Sequence, residues 1–198
     1  MVGTLRPGTF IRLDATAAQL GVSITPVREA LRTLRGEGVV VLEPHRGHVV
    51  APLSRRDVED IFWLQATIAR ELAATAAEQI TDDELDELEL CTDALAGAVA
   101  DADPDAVAAA EFAYHRTFNR ASGRIKLAWF LLHVARYMPP LIYAQDSEWG
   151  ALAVDNHRRM VAALRRHDTA EVVALTGWQF DDGVRRLIAR LEGSGIWS

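Results

Sequence analysis

The chain has 198 residues, 49% of them hydrophobic and 25% charged, with a formal net charge of −7, a composition that suits one medium globular domain or two small ones. Its apolar runs are too short to span a bilayer and its N-terminus has no charged segment followed by a hydrophobic one, so the expectation is a cytoplasmic protein with no membrane partner. One cysteine, Cys91, excludes an internal disulfide and a cysteine-built zinc cluster, and reads as a small hydrophobe on a helix.

The first helical pattern covers Leu13 to Leu20 and stops at Gly21. A second follows within Val22–Val41. Thr25 and Pro26 suit the cap and first position of a helix, with Ser23 as the alternative cap. Val27, Ala30, Leu31 and Leu34 recur on one face, while Arg28, Arg32 and Arg35 lie away from it. Gly36 and Gly38 end the pattern, and the two helices meet as a helix-turn-helix. Val39–Glu43 and His48–Pro52 then read as two strands closed by Pro44, His45, Arg46 and Gly47, a basic wing.

The overall charge hides a split. Residues 1 to 56 hold eight arginines against four acids, net +4, and the remainder is net −11. A small basic head on an acidic body suits phosphate contacts made by the head alone.

After a polar joint at Leu53–Arg56, Ser54 and Asp57 form a capping pair and the chain becomes helix after helix. The spacing predicts helices at about 55–79, 82–102, 104–122, 125–145, 150–167 and 169–192. Thr81 with Glu84, Asp103 before Pro104, and Asp168 with Glu171 mark three starts, Gly123 marks a stop, and Pro139 and Pro140 break or kink the fourth helix. The fold class is therefore mostly α: a winged helix-turn-helix over residues 1–53, with a small two-stranded wing, followed over 54–198 by an antiparallel bundle of about six helices. Trp63, Trp129 and Trp178 fall in apolar helical patterns and read as core; His133 and His167 read as structure or surface.

Glu111 and His115 lie four apart, so their side chains project from one face of a helix, and His157 lies on a later one. A carboxylate and two imidazoles form a plausible first shell for zinc or a similar divalent ion, although an isolated Glu–His pair is more often a surface contact.

The stretch Leu20-Gly21-Val22-Ser23-Ile24-Thr25-Pro26-Val27-Arg28-Glu29-Ala30-Leu31, then Leu34, Gly38, Val39 and Val40, then Pro44, Arg46, Gly47 and Val50, resembles the winged helix-turn-helix of the GntR family. The resemblance implies that Ser23, Ile24, Thr25 and Arg28 approach the major groove of double-stranded DNA or its phosphates, and that His45, Arg46 and Gly47 in the wing approach the minor groove. Arg32 is included among these candidates, although for it, as for Arg35, a solvated helix face is the commoner fate. Ile24 stands where the family usually has arginine and can offer only apolar contact, such as with a thymine methyl. The family's first helix, ahead of these two, has no counterpart in this sequence, and Thr4–Gly8 resembles the loop that follows it.

The bundle resembles the FCD-type ligand-binding domain of the FadR branch of that family, many members of which hold a metal with an acid–histidine pair, a second histidine and a third near the end. Glu111-Phe112-Ala113-Tyr114-His115 and Asn156-His157 match the first two, whereas Gln179 replaces the last histidine and is a far poorer ligand than imidazole. Gln65 and Ala69 stand where relatives usually show an arginine and a glutamate. The family implies a small-molecule effector such as an organic acid, for which Arg120, Arg124 and Gln179 are the candidate binding residues, with Arg136 a further carboxylate partner. The whole then resembles a one-component transcription repressor, a homodimer on a palindromic operator. Two rivals stand beside it: a small helical metalloenzyme built on Glu111, His115 and His157, and an effector-binding module that has lost specific DNA binding.

Overall fold

The computed structural model describes residues 5–138, 146–195 and 197. Among them are eight helices and one sheet: α1 Leu13–Leu20, α2 Ile24–Gly36, β1 Val40–Glu43, β2 Gly47–Val50, α3 Arg55–Gln79, α4 Asp82–Ala100, α5 Pro104–Ala121, α6 Ile125–Ala135, α7 Ser147–Arg165 and α8 Thr169–Gly193. The mostly helical class with a small wing is the observed one. Contacts divide the chain into two compact units, one running to Arg55 and joined by the stretch from Leu191, the other spanning Arg56–Arg190.

In the first unit Gly21 ends α1 in the left-handed region, φ +66°, which costs glycine nothing. Ser23, extended, is the residue that flanks α2, and its side chain makes no capping bond. Thr25 and Pro26 lie inside the first turn, where a residue without an N–H leaves nothing unpaired. Val27 and Leu31 are buried and join Ile11, Ala17 and Val40 in a small core, with Leu13, Leu34 and Val50 packed against it. Ala30, expected on this stripe, is exposed: it sits at the stripe's edge with too short a side chain to reach the core.

Strands β1 and β2 pair antiparallel, Val40 opposite Val50 and Glu43 opposite Gly47; β1 starts one residue later than expected, and β2 starts one residue earlier and ends two earlier. The turn between them needs positive φ at His45 (+62°) and Gly47 (+90°). Gly47 is doubly constrained, since a Cβ there would stand 3.0 Å from the Phe10 ring. The residues before α1 are more than a loop: Phe10 bridges Val49, the Ile11 N–H donates to the His48 carbonyl, and the Val50 N–H donates to the Thr9 carbonyl, so this segment lines the outer edge of β2. The Trp197 indole donates to the Leu53 carbonyl, and Arg55 pairs with Glu192 at 2.8 Å, tying the joint to the end of the chain.

In the second unit the start signals work as read. Thr81 and Glu84 form a reciprocal capping box on α4, Asp103 accepts from the N–H groups of Asp105 and Ala106 with Pro104 in the first turn, and Asp168 accepts from the Glu171 N–H. Two bounds differ. Helix α7 begins at Ser147 and not at 150, because the Asp146 carboxylate caps the N–H groups of Glu148 and Trp149. Helix α6 ends at Ala135, in a turn through Met138, and the expected break at Pro139 and Pro140 lies outside the described residues. The main core draws Ala73, Ala76, Ala77, Leu85, Leu88, Tyr114, Phe118, Met160, Leu164 and Val172 from five helices, each large apolar side chain contributing roughly 2 kcal/mol by leaving water. Of the tryptophans expected in the core, Trp63, Trp129 and Trp178 are 67%, 52% and 39% exposed; their patterns are apolar, but each falls on the outer side of its helix.

Candidate DNA-reading head and candidate metal centre

The burial of Val27 and Leu31 turns the opposite side of α2 to solvent. Ser23, Ile24 (43% exposed), Thr25 and Arg28 are all exposed along its N-terminal half, and Arg32 beyond it. Arg28 meets no carboxylate among the described residues, whereas Arg32 is held by Glu29 at 3.1 Å. In the wing, His45 and Arg46 are exposed at the turn and Gly47 is half-buried, with Arg46 on Glu43 at 2.9 Å. Both ion pairs are solvent-exposed and therefore weak, so either guanidinium can exchange its partner for a phosphate. The N-terminus of α2 adds backbone N–H groups and the positive end of a helix dipole.

The second centre lies inside the other unit. Helix α5 contributes Glu111, Tyr114 and His115, α7 contributes Asn156 and His157, and α8 contributes Gln179. Glu111 Oε2 lies 3.2 Å from His115 Nε2 and 3.8 Å from His157 Nε2, and the three candidate ligand atoms lie within 4.8 Å of one another. Tetrahedral ligands about 2.0–2.1 Å from zinc stand roughly 3.3 Å apart, so the cluster is close to a first shell as it stands. His157 is fully buried, and neither ring nitrogen makes a hydrogen bond of good geometry, the carbonyl of Ala153 one turn back being only a marginal neighbour. Burial lowers its pKa to about 4, against the partial restoring pull of Glu111, so it is a neutral imidazole near pH 7, the form that binds metal. Burial alone would raise the Glu111 carboxyl, but the adjoining His157 and His115 outweigh it and hold the group below its ordinary value. A buried imidazole with no hydrogen bond of good geometry, its Nε2 turned to a carboxylate 3.8 Å away, fits a divalent ion.

Gln179 stands at the open side, its amide nitrogen 3.0 Å from His115 Nε2 and its oxygen 3.5 Å from the Asn156 amide. Tyr114 lies edge-on to His157 with ring centroids 3.7 Å apart and fixes the imidazole plane; its hydroxyl is buried without a partner, as is the Gln65 amide nitrogen on α3. Tyr114 is three residues from Glu111 and so on the same face, a signal the sequence offered and the metal pattern passed over. Arg120 and Arg124 are not brought to this cluster. They are exposed and ion-paired, Arg120 with Glu87 at 2.6 Å and Arg124 with Glu71 at 3.1 Å. Arg136 is likewise exposed.

A winged reader in one unit and a ligand-holding helical bundle in the other define a transcription regulator. Residues 1–50 match the bacterial regulatory proteins of the gntR family, and residues 60–177 match the FCD domain. The Probable D-xylose utilization operon transcriptional repressor of Paenarthrobacter nicotinovorans is 31% identical over 171 residues, 84% of this chain and 74% of that protein. The HTH-type transcriptional regulator McbR of Escherichia coli (strain K12) is 33% identical over 88 residues, 44% of this chain and 40% of that one. The match to YdhC of Bacillus subtilis (strain 168) likewise spans only 37% of its length. In fold, the solved structure of E. coli McbR/YncC superposes with a TM-score of 0.78 at 23% identity, covering 96% of this chain and 91% of that one. The chain belongs to the gntR family of bacterial regulatory proteins, in the branch with an FCD domain. That family consists of regulators and not enzymes, so the metalloenzyme reading is set aside. FCD domains hold a metal in some members, and a Glu/His/His cluster is present here. Among the described residues no helix is long and apolar enough to cross a membrane.

Proposed function

We propose that this chain is a cytoplasmic DNA-binding repressor, homodimeric on a palindromic operator, whose grip is relieved by a small organic acid held in the helical domain. The observation that carries the reading is the exposed N-terminal part of α2, where Ser23, Ile24, Thr25 and Arg28, which meets no carboxylate among the described residues, stand together on a basic head. In this reading residues 1–53 read duplex DNA and residues 54–198 bind the effector and dimerise. Arg28 takes a phosphate or a base edge, Arg32 and the wing's His45, Arg46 and Gly47 add contacts to the backbone and minor groove, and Ile24 meets an apolar feature such as a thymine methyl.

Glu111, His115 and His157 hold zinc or a similar divalent ion, with Gln179 as a weak fourth ligand or as a hydrogen-bond donor to the effector. The ion would supply a fixed positive charge for an acid. That role falls to it because Arg120 and Arg124 stand outside the cluster, on Glu87 and Glu71. The effector acts by binding one arrangement of the heads better than another, without which it could shift nothing.

A mobility-shift assay on the intergenic DNA beside the protein's own gene, with zinc present and organic acids added one at a time, tests the reading. Selective retardation reversed by one acid is expected. Equal retardation of random duplex overturns it.

A further inference from the structure

Two neighbours make opposite demands on one ring nitrogen of His115. Glu111 Oε2 stands 3.2 Å from Nε2 and, as a carboxylate oxygen, only accepts. The Gln179 amide nitrogen stands 3.0 Å from the same Nε2 and only donates. A nitrogen of an uncharged imidazole carries either a proton or a lone pair, so Nε2 answers one of the two and leaves the other unmet. The contact to Gln179 is the shorter, and Glu111 has a second imidazole, that of His157, 3.8 Å away.

The rest of the Gln179 side chain is lightly held. Its Oε1 lies 3.5 Å from Asn156 Nδ2, beyond the usual range of a hydrogen bond, and the oxygen of that same Asn156 amide is buried without a partner. An N–H group leaving His115 therefore has an acceptor on the neighbouring amide. The opposed demands on Nε2 also disappear when His115 and Glu111 share an ion, because each then offers it a lone pair and neither needs a proton.

We propose that Gln179 is a latch on this centre: its amide N–H holds the His115 lone pair that a divalent ion needs, so that His115 takes an ion only by letting Gln179 go. The inference rests on the metal reading above and decides the part of Gln179 in it, as a competitor of the ion and not its fourth ligand. The two parts have opposite signs. Removing a ligand weakens the centre, whereas removing a competing hydrogen bond of ordinary net strength tightens it by about three- to tenfold. Gln179 on α8 thus sets the centre to exchange its ion with the surroundings, and each exchange moves a side chain of that helix.

The zinc dissociation constant of the chelator-stripped full chain, read by competition with a chromogenic chelator at mildly alkaline pH, tests this in Gln179→Leu and Gln179→His. Gln179→Leu is expected to bind zinc about three- to tenfold tighter than wild type. Gln179→His, which brings a fourth good ligand, is expected to bind tighter still. Ring-nitrogen NMR of the stripped wild type gives a reading that needs neither variant to fold: His115 is expected to carry its proton on Nδ1 and to leave Nε2 bare, and in Gln179→Leu the proton is expected on Nε2, toward Glu111. Zinc binding by Gln179→Leu that is weaker or unchanged, or a protonated Nε2 in the stripped wild type, overturns the latch and leaves the metal reading standing. An absence of zinc binding in the wild type and both variants overturns the metal reading, and the latch with it.

Discussion

Oε2 of Glu111 lies 3.8 Å from Nε2 of His157, a buried nitrogen with no hydrogen-bond partner of its own. The imidazole is too dry to protonate readily, and its pKa is lowered from 6.5 to about 4 by burial. The unfolded chain therefore takes up a proton at His157 that the folded chain refuses. Stability is fully present above pH 6.5 and is lost as pH falls toward 4, by up to about 3 kcal/mol from this residue. Glu111, also held below its ordinary value, acts in the same direction at the acid end. In chelator-treated protein the urea midpoint is expected to fall between pH 7 and pH 4.5, and His157→Leu to flatten the slope. An unchanged slope in the variant would contradict the burial argument.

Metal content gives a second test. Protein purified without chelator is expected to carry close to one divalent ion per chain by plasma mass spectrometry, and His115→Ala or His157→Ala to carry none. Added zinc should raise the melting temperature of the stripped wild type, a hundredfold excess over Kd being worth about 2.7 kcal/mol, and leave the variants unmoved. Equal metal in wild type and His157→Ala removes the site from the account.

Arg28→Ala is expected to weaken specific DNA binding by roughly 1–3 kcal/mol. A phosphate contact would flatten the salt dependence by about one counterion, whereas a base contact would relax selectivity at one position. Fluorescence anisotropy at several salt concentrations separates the two, and an affinity unaltered by Arg28→Ala would contradict the placement of α2 on DNA. Ile24→Arg should change the preferred sequence more than the affinity for random duplex.

Gly47→Val places a branched side chain at φ +90° and 3.0 Å from the Phe10 ring. A cost of at least 1–2 kcal/mol falls on a head whose core is small, so DNA binding should fail before the helical domain melts. Retained DNA affinity in Gly47→Val would show that the wing turn is dispensable.

Much of this was legible in the sequence because it is local. Capping signals at Thr81, Asp103 and Asp168, the glycine after α1 and the turn at Pro44–Gly47 are fixed by residues a few places apart. The Glu111–His115 pair follows from helical spacing; His157, on a helix far away in sequence, is only one candidate partner for it until the family resemblance strengthens the choice. What escaped depends on three-dimensional neighbours. Phe10 and Ile11 pair with β2 through backbone groups that carry no sequence signature. Arg120 and Arg124 find acids 33 and 53 residues away, pairings that no local spacing announces. Trp63, Trp129 and Trp178 have the composition of a core helix, and only the packing shows which side each one faces.

The central claim is that occupancy of the Glu111–His115–His157 centre governs the hold of the basic head on DNA. It is tested most directly by the dissociation constant for the specific duplex, measured by anisotropy at fixed salt with the centre stripped, with zinc, and with zinc plus the releasing acid. The account predicts at least a fivefold difference between the states with and without the acid, and none in His157→Ala. One dissociation constant throughout, in a protein shown to bind the metal and the acid, would contradict it.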